Sequence, residues 1–307
     1  MRRKKTGQKE ELPFPGGLPP KPPQDDEPLT KPLSHPLWTE NKAKLIERYL
    51  LYFVFVTHHG TYIDGFAGPQ EEDKPDMWAA NLVLSTEPKW LRHFHLFDID
   101  PEQIERLEAL KKEQPARDSK NRKINRTIDI YEGDFNARID DLLGSGSISQ
   151  AEATFCLVDQ RSTQCHWSTV EKLARYKSEG NNKIELFYFL AVGWLSRTIK
   201  AITQDEERLR LWWGRDDWNQ FLGINKQKQA AIFARRIKGE LGYKSVKSYP
   251  IFNKAEGGNI MYYMIHATDH PVAPGLMTRA YDRAYIPEKY EQLLLDDSFD
   301  SSSEFEP

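Results

Sequence analysis

Between residues 39 and 60, Leu45, Tyr49, Tyr52 and Val56 recur at helical spacing. They follow Thr39, a residue type that caps helices, and Glu40, whose charge suits a first turn. The pattern predicts an amphipathic helix. At Thr61 it gives way to a short apolar strand that stops at Asp64. The same change of period recurs along the chain, predicting strands at 93–101, 127–131, 153–159 and 184–192. Helices are expected behind Asp76 (carrying Trp78, Leu82 and Val83), at 102–113, around 139–143 and at 168–176. The run 184–192 is apolar apart from Glu185, as suits a strand covered on both faces.

Strands that alternate with helices predict an α/β fold with a doubly wound, mostly parallel sheet. After 184–192 come about fifty mostly helical residues, 195–241, longer than an ordinary crossover and read as a helical insertion. The sheet closes with 244–252 and 260–268, paired antiparallel across the turn 253–258.

A chain of 307 residues suits one decorated domain, here 38–287. Residues 1–37 carry nine of the 19 prolines and few large apolar groups, so a disordered Pro-rich arm is expected there. Residues 288–307, with Ser301-Ser302-Ser303, read as an acidic tail. No apolar run reaches the ~18 to 20 residues that span a bilayer. The basic start Arg2-Arg3-Lys4-Lys5 leads into Pro-rich polar sequence, unlike a secretory signal, so a cytoplasmic location is expected. Two cysteines give neither a disulfide framework nor a metal-ligand set; Cys156 reads as core filler and Cys165, beside His166, as the candidate reactive thiol. His93 and His95 share one strand face with no third ligand nearby, which argues against a metal site.

The chemistry gathers where strands end. Asp64, Asp98, Asp134 and Asp159 all fall at or just beyond the carboxyl ends of predicted strands, the rim where open α/β sheets bind ligands. Gly65 and Gly68 allow a ligand to approach the main chain closely, although the third glycine of a dinucleotide fingerprint is missing. Crowded carboxylates disfavour a pyrophosphate and suit a ligand with hydroxyl and amine donors and a positive charge. An acid after the second strand can accept both ribose hydroxyls, and one after the third an adenine amine. S-adenosylmethionine joins an adenosine to a sulfonium cation.

The runs Asp64-Gly65-Phe66-Ala67-Gly68-Pro69, Phe97-Asp98-Ile99-Asp100 and Glu132-Gly133-Asp134-Phe135-Asn136, with Asp159 followed by Gln164-x-x-Trp167-Ser168-Thr169, resemble the three-Cys-motif partner protein (TcmP) family. That family is similar to class I S-adenosylmethionine-dependent methyltransferases, and the resemblance covers about residues 35–280. It implies a Rossmann-like sheet of seven strands, the last inserted antiparallel. It also implies that Asp64, Gly65, Phe66, Ala67 and Gly68 lie against the methionine portion of the cofactor, Asp98 on the ribose, and Asp134 with Phe135 at the adenine. Asp159 would be the catalytic residue, facing the methyl group and accepting N–H groups of an amine acceptor. Two departures stand out: Gln70 where related proteins tend to have Gly, and Gln160-Arg161-Ser162 where they have a Pro-aromatic-Gly type of turn. The second leaves no ring on which a planar amine would stack.

Residues 197–247 hold twelve Lys and Arg against six Asp and Glu, interleaved with Trp212, Trp213, Trp218, Phe221 and Phe233. Basic groups among aromatics are the candidate nucleic-acid surface, in a chain whose net charge is −3. The resemblance further implies a partner bearing three cysteines, similar to radical S-adenosylmethionine enzymes. Two functions follow as expectations: a methyltransferase acting on a nucleic acid or a partner-associated substrate, or a catalytically silent module that recruits the partner.

Overall fold

The computed structural model describes residues 41–69, 74–201, 206–254 and 257–284. The Pro-rich arm, Thr39, Glu40, Gln70 and the acidic tail lie outside the described residues. Seven strands form one sheet in the order β3-β2-β1-β4-β5-β7-β6. They are β1 (Thr61–Asp64), β2 (His93–Asp98), β3 (Thr127–Glu132), β4 (Thr154–Val158), β5 (Glu185–Leu190), β6 (Ser245–Lys254) and β7 (Gly257–Thr268). β1 pairs in parallel with β2 on one side and β4 on the other, and β5 extends the parallel set. β7 runs antiparallel to both β5 and β6, so the closing hairpin inserts its second strand next to β5 and leaves its first at the edge. This is the seven-stranded, mostly parallel sheet with an antiparallel strand that the resemblance implies.

Alternate side chains of the central strands enter two cores, one on each face, because successive residues of a strand point to opposite sides. Tyr62, Phe94, Leu96, Phe155, Leu157, Phe187 and Phe189 pack beneath α1 (Lys42–Thr57), α2 (Ala79–Ser85), α3 (Pro101–Lys112) and α9 (Ala273–Arg283). Ile63, Cys156, Val158, Leu186, Tyr188 and Leu190 pack beneath α4 (Phe135–Gly144), α5 (Trp167–Arg175), α6 (Val192–Ala201), α7 (Glu206–Trp213) and α8 (Lys226–Leu241). The central strands are therefore apolar on both faces.

Several element ends differ from the sequence reading. Asp76 does not cap α2: it sits inside a short 3-10 turn, Pro75–Met77, and α2 starts beyond Trp78 with no side-chain cap. The helix expected around 139–143 begins earlier, at Phe135, because Asp134 caps it through the amide of Asn136. α9 has no counterpart in the sequence reading. Its first turn carries a proline and a glycine, residue types that disguise a helix. The histidines of β2 have local partners: His93 Nδ1 lies 2.9 Å from Thr127 Oγ1, and His95 Nδ1 lies 3.2 Å from Tyr131 Oη.

Glu185, the one polar residue in the apolar run, is explained by its partners. Its buried carboxyl accepts from Tyr49 Oη, lies 2.8 Å from His266 Nε2 and accepts from Thr268 Oγ1 at 2.9 Å. The group ties α1 to β5 and β7 under the sheet. Removing it with Glu185→Ala strands three buried polar groups, each costing about 1–3 kcal/mol. A loss of about 3 kcal/mol or more is expected in urea unfolding, read as a lower midpoint at unchanged slope; a shift under about 1 kcal/mol would contradict this account.

Candidate functional site

The strand order reverses between β1 and β4, and a cleft of about 520 Å³ opens there, at the carboxyl ends of the strands. Its floor is the turn after β1. The Gly65 N–H donates to Leu157 O of β4 at 3.0 Å, and the Ala67 N–H to Phe97 O of β2 at 2.7 Å. The turn thus continues both neighbouring ladders. Gly68 then donates to Asp98 Oδ2 at 2.9 Å. Both glycines are needed for closeness: a Cβ on Gly65 would lie 2.7 Å from the Phe135 ring, and one on Gly68 would lie 2.6 Å from Asp98 Oδ2 and from Gln103 Cβ.

The expected site residues occupy different depths. Gly65, Phe66, Gly68, Asp98, Asp134 and Phe135 line the cleft, and Asp159 lines its far side. Asp64 and Ala67 are buried and do not line the cleft. Asp64 lies under the turn, accepting from Tyr62 Oη at 2.8 Å and from the Phe66 N–H at 3.1 Å. Burial pushes its carboxyl up to about 7, against the pull of those two hydrogen bonds. Asp98 is held by backbone on both oxygens, with the Asp100 N–H donating to Oδ1 at 3.0 Å. Each carboxylate oxygen retains a second lone pair for a ligand. Asp134 uses Oδ1 for the backbone and side-chain amides of Asn136, at 3.0 and 2.8 Å. Phe135 is only 2% exposed and packs on Phe97, whereas Ile99, 68% exposed, presents the open apolar surface beside Asp98.

Asp159 has a partner that the sequence reading missed. Lys42, in the first turn of α1, places Nζ 2.6 and 3.0 Å from its two oxygens. The same ammonium lies over the rings of Tyr262 and Phe189, 4.4 and 4.9 Å from their centroids. The carboxylate is therefore neutralised in place. Nothing in the local sequence signals a contact across 117 positions.

The departure after Asp159 is a built loop. Gln160 is fully buried, and its Oε1 accepts the N–H groups of Gln164 and Cys165, both at 2.8 Å. Its Nε2 donates to Tyr188 Oη, which also accepts from Trp212 Nε1 at 3.0 Å. A buried side-chain amide thus shapes this turn. Cys165 is buried and its thiol is pushed up by desolvation, so the reactive-thiol expectation is corrected.

The nucleic-acid expectation meets a similar difficulty. Trp212, Trp213, Phe221 and Phe233 are all buried in the core against Tyr188 and Trp167. Rings in those positions offer bases no face to stack on. Arg236 is enclosed too, 3.8 and 4.2 Å from the ring centroids of Trp167 and Trp213. Of the nominated aromatics, only Trp218 is half-buried.

Comparison with protein families and with curated proteins finds no match. Among solved structures, the chain is similar to the CurJ carbon methyltransferase (11% identity, TM-score 0.43), covering 74% of this chain and 54% of that one. It thus spans about half the length of that protein. It is also similar to a provisionally assigned S-adenosyl-L-methionine-dependent methyltransferase from Methanococcus maripaludis (14% identity, TM-score 0.34, covering 74% and 85%). A third is a protein from Legionella pneumophila str. Philadelphia 1 (11% identity, TM-score 0.44, covering 81% and 94%). The assignment of a methyltransferase-like fold stands on the strand order and the reversed β7 themselves. No helix among the described residues is long and apolar enough to cross a membrane.

The depth of Asp64 has a measurable consequence. In the unfolded chain its carboxyl is ionised above pH ~4, while in the folded chain it keeps its proton up to about pH 7. The folded state holds a proton that the unfolded state has released, so stability is full below that window and falls as pH rises through it. Asp64→Asn retains the shape without the titration. Between pH 5 and 8 the variant is expected to lose roughly 2–3 kcal/mol less stability than the parent in urea unfolding; parallel pH profiles would contradict the assignment.

Proposed function

We propose that this chain binds S-adenosylmethionine in the cleft above β1 and β4 and transfers the methyl group to an acceptor held on the β4 side. The observation that carries the reading is the Gly65–Gly68 turn, locked to β2 and β4 and closed by Asp98. It leaves a main-chain cradle with an acid beside it. In this reading Asp98 accepts the ribose hydroxyls through its remaining lone pairs, and Ile99 gives the adenine an apolar face. Asp134 receives the adenine amine through Oδ2, the oxygen not spent on capping α4. When bound, the cofactor supplies an electrophilic methyl group on sulfur. The residues around it align the acceptor and keep water out, with no protein nucleophile required. Asp159, fixed by Lys42, orients the acceptor from the β4 side. Membership of the TcmP family, and with it a three-Cys-motif partner similar to radical S-adenosylmethionine enzymes, belongs to the same proposal and rests on the four sequence runs.

The second reading, a catalytically silent module that recruits such a partner, is favoured by one observation: both oxygens of Asp159 are taken by Lys42, and no ring follows it in the turn. Isothermal calorimetry with S-adenosylmethionine and S-adenosylhomocysteine tests the cofactor site common to both readings. Asp134→Asn keeps a capping oxygen but loses the charge offered to the adenine. It is expected to weaken binding by about 1–3 kcal/mol, and unchanged affinity would move the adenine elsewhere. Labelled-methyl transfer in the presence of total RNA, DNA and the partner then separates the readings, since binding without transfer to any of them supports the silent module.

A further inference from the structure

The segment that joins α3 to β3 is strongly basic. Residues 111–126 carry seven Lys and Arg against two acids, Glu113 and Asp118, in a chain whose net charge is −3. The segment folds into a tight hairpin. Asp118 Oδ1 accepts the Lys120 and Arg122 N–H groups at 3.0 and 2.8 Å, Asn121 takes a φ of 61°, and the Ile124 N–H donates to Ala116 O at 3.0 Å. Asp118 is paired with the Arg122 guanidinium at 2.6 Å, so its charge does not offset the remaining cations. Lys111, Lys112, Lys120 and Lys123 are exposed and have no ion-pair partner among the described residues.

The hairpin borders a groove of about 270 Å³ at the outer edge of the sheet. Pro115, Ala116, Ile124 and Ile128 give it apolar lining, with Lys111 and Arg126 beside them. Arg126 is turned inward, donating to Leu84 O and Leu91 O at 2.9 Å and lying over the Phe94 ring, which leaves the lysines to face solvent. β3 ends the sheet, so its outer backbone has no strand neighbour among the described residues. Cations, an apolar groove and an open strand edge suit an extended peptide that carries both acidic and large apolar side chains. A nucleic acid fits less well, because no aromatic residue lines the groove to stack a base.

Such a peptide exists in the chain itself. Residues 296–306 hold five acids and no Lys or Arg, interleaved with Phe299 and Phe305. α9, which leads toward them, covers the same face of the sheet as α3. Asp296 lies twelve residues beyond Ala284, the C-cap of α9, a reach of up to about 40 Å. From β7 to β3 is five strand spacings, roughly 24 Å. We propose that residues 296–306 dock in cis along the β3 edge, their carboxylates on the hairpin lysines and their phenylalanine rings in the groove. The groove lies at the opposite end of β3 from Asp134 and the cleft, so this contact is independent of the cofactor reading.

The full-length chain, dilute and in roughly 0.15 M salt, is treated with a carbodiimide, which joins carboxylates to amines in contact, and the linked peptides are read by mass spectrometry. Mixing ¹⁵N-labelled with unlabelled chain separates links within one chain from links between chains. Links from 296–306 to Lys111, Lys112, Lys120 or Lys123 within one isotopic species are expected. Their yield should fall at least about three-fold at roughly 0.5 M salt. It should fall at least about three-fold in the double variant Phe299→Ser, Phe305→Ser, which keeps every carboxylate. Links scattered over other exposed lysines, such as Lys228 and Lys244, overturn the docking, as does a yield indifferent to the double variant. Isotopically mixed links give the groove to the tail of a second copy and overturn the cis contact. Absence of tail links overturns the inference, and protection of the same lysines from acetylation by added duplex DNA would then give the surface to nucleic acid.

Discussion

The turn after β1 is bonded to the strand on each side, and the rest of the rim takes its shape from that fact. One amide reaches Leu157 of β4, the next-but-one reaches Phe97 of β2, and Gly68 closes on the Asp98 carboxylate. A turn tied only to its own strand could shift with its neighbours. This one is part of both ladders, so the gap between β1 and β4 has a rigid floor. A side chain at Gly65 or Gly68 would collide with Phe135 or Asp98, so the glycines set how deep the cleft is. Asp64, the most prominent acid of the motif, belongs to this foundation: it holds Tyr62 and the Phe66 amide from below.

The opposite wall is assembled from the helical insertion. Trp212 of α7 donates to Tyr188 of β5, Tyr188 receives Gln160, and Gln160 organises the loop that carries Arg161 and Thr163. Arg236 of α8, clasped by Trp167 and Trp213 and donating to the Trp213 carbonyl, fixes the first residue of α5. The aromatic and basic content that suggested a nucleic-acid surface thus serves to hold the β4 side of the cleft in place. Stacked guanidinium groups serve packing as readily as recognition.

The fold was legible because β1, β2 and β4 each announce themselves by a largely apolar run with an acid at or just past its end. The residues of β1 and the parallel pairing of β1, β2 and β4 follow from that rhythm. The glycine turn and Asp98 were legible for the same reason, since they lie beside a strand end. What sequence could not supply was anything set by distant neighbours. Lys42 reads as an ordinary polar residue of an amphipathic helix, and only the folded chain brings it to Asp159. Glu185 reads as a blemish in a strand until Tyr49, His266 and Thr268 surround it. Aromatics at helical spacing are more often packed than exposed, and Trp212 and Phe233 are buried, but that spacing does not say which face meets the sheet.

The Lys42 contact also changes where the working unit of this protein begins. A shortened version started after the first turn of α1 would preserve all seven strands and the glycine turn, and by eye would look whole. It would nonetheless strand a carboxylate in a nearly dry niche at the mouth of the cleft, with two aromatic faces turned toward nothing. The natural boundary for trimming or fusing this domain therefore lies a full helix upstream of the sheet, ahead of Lys42.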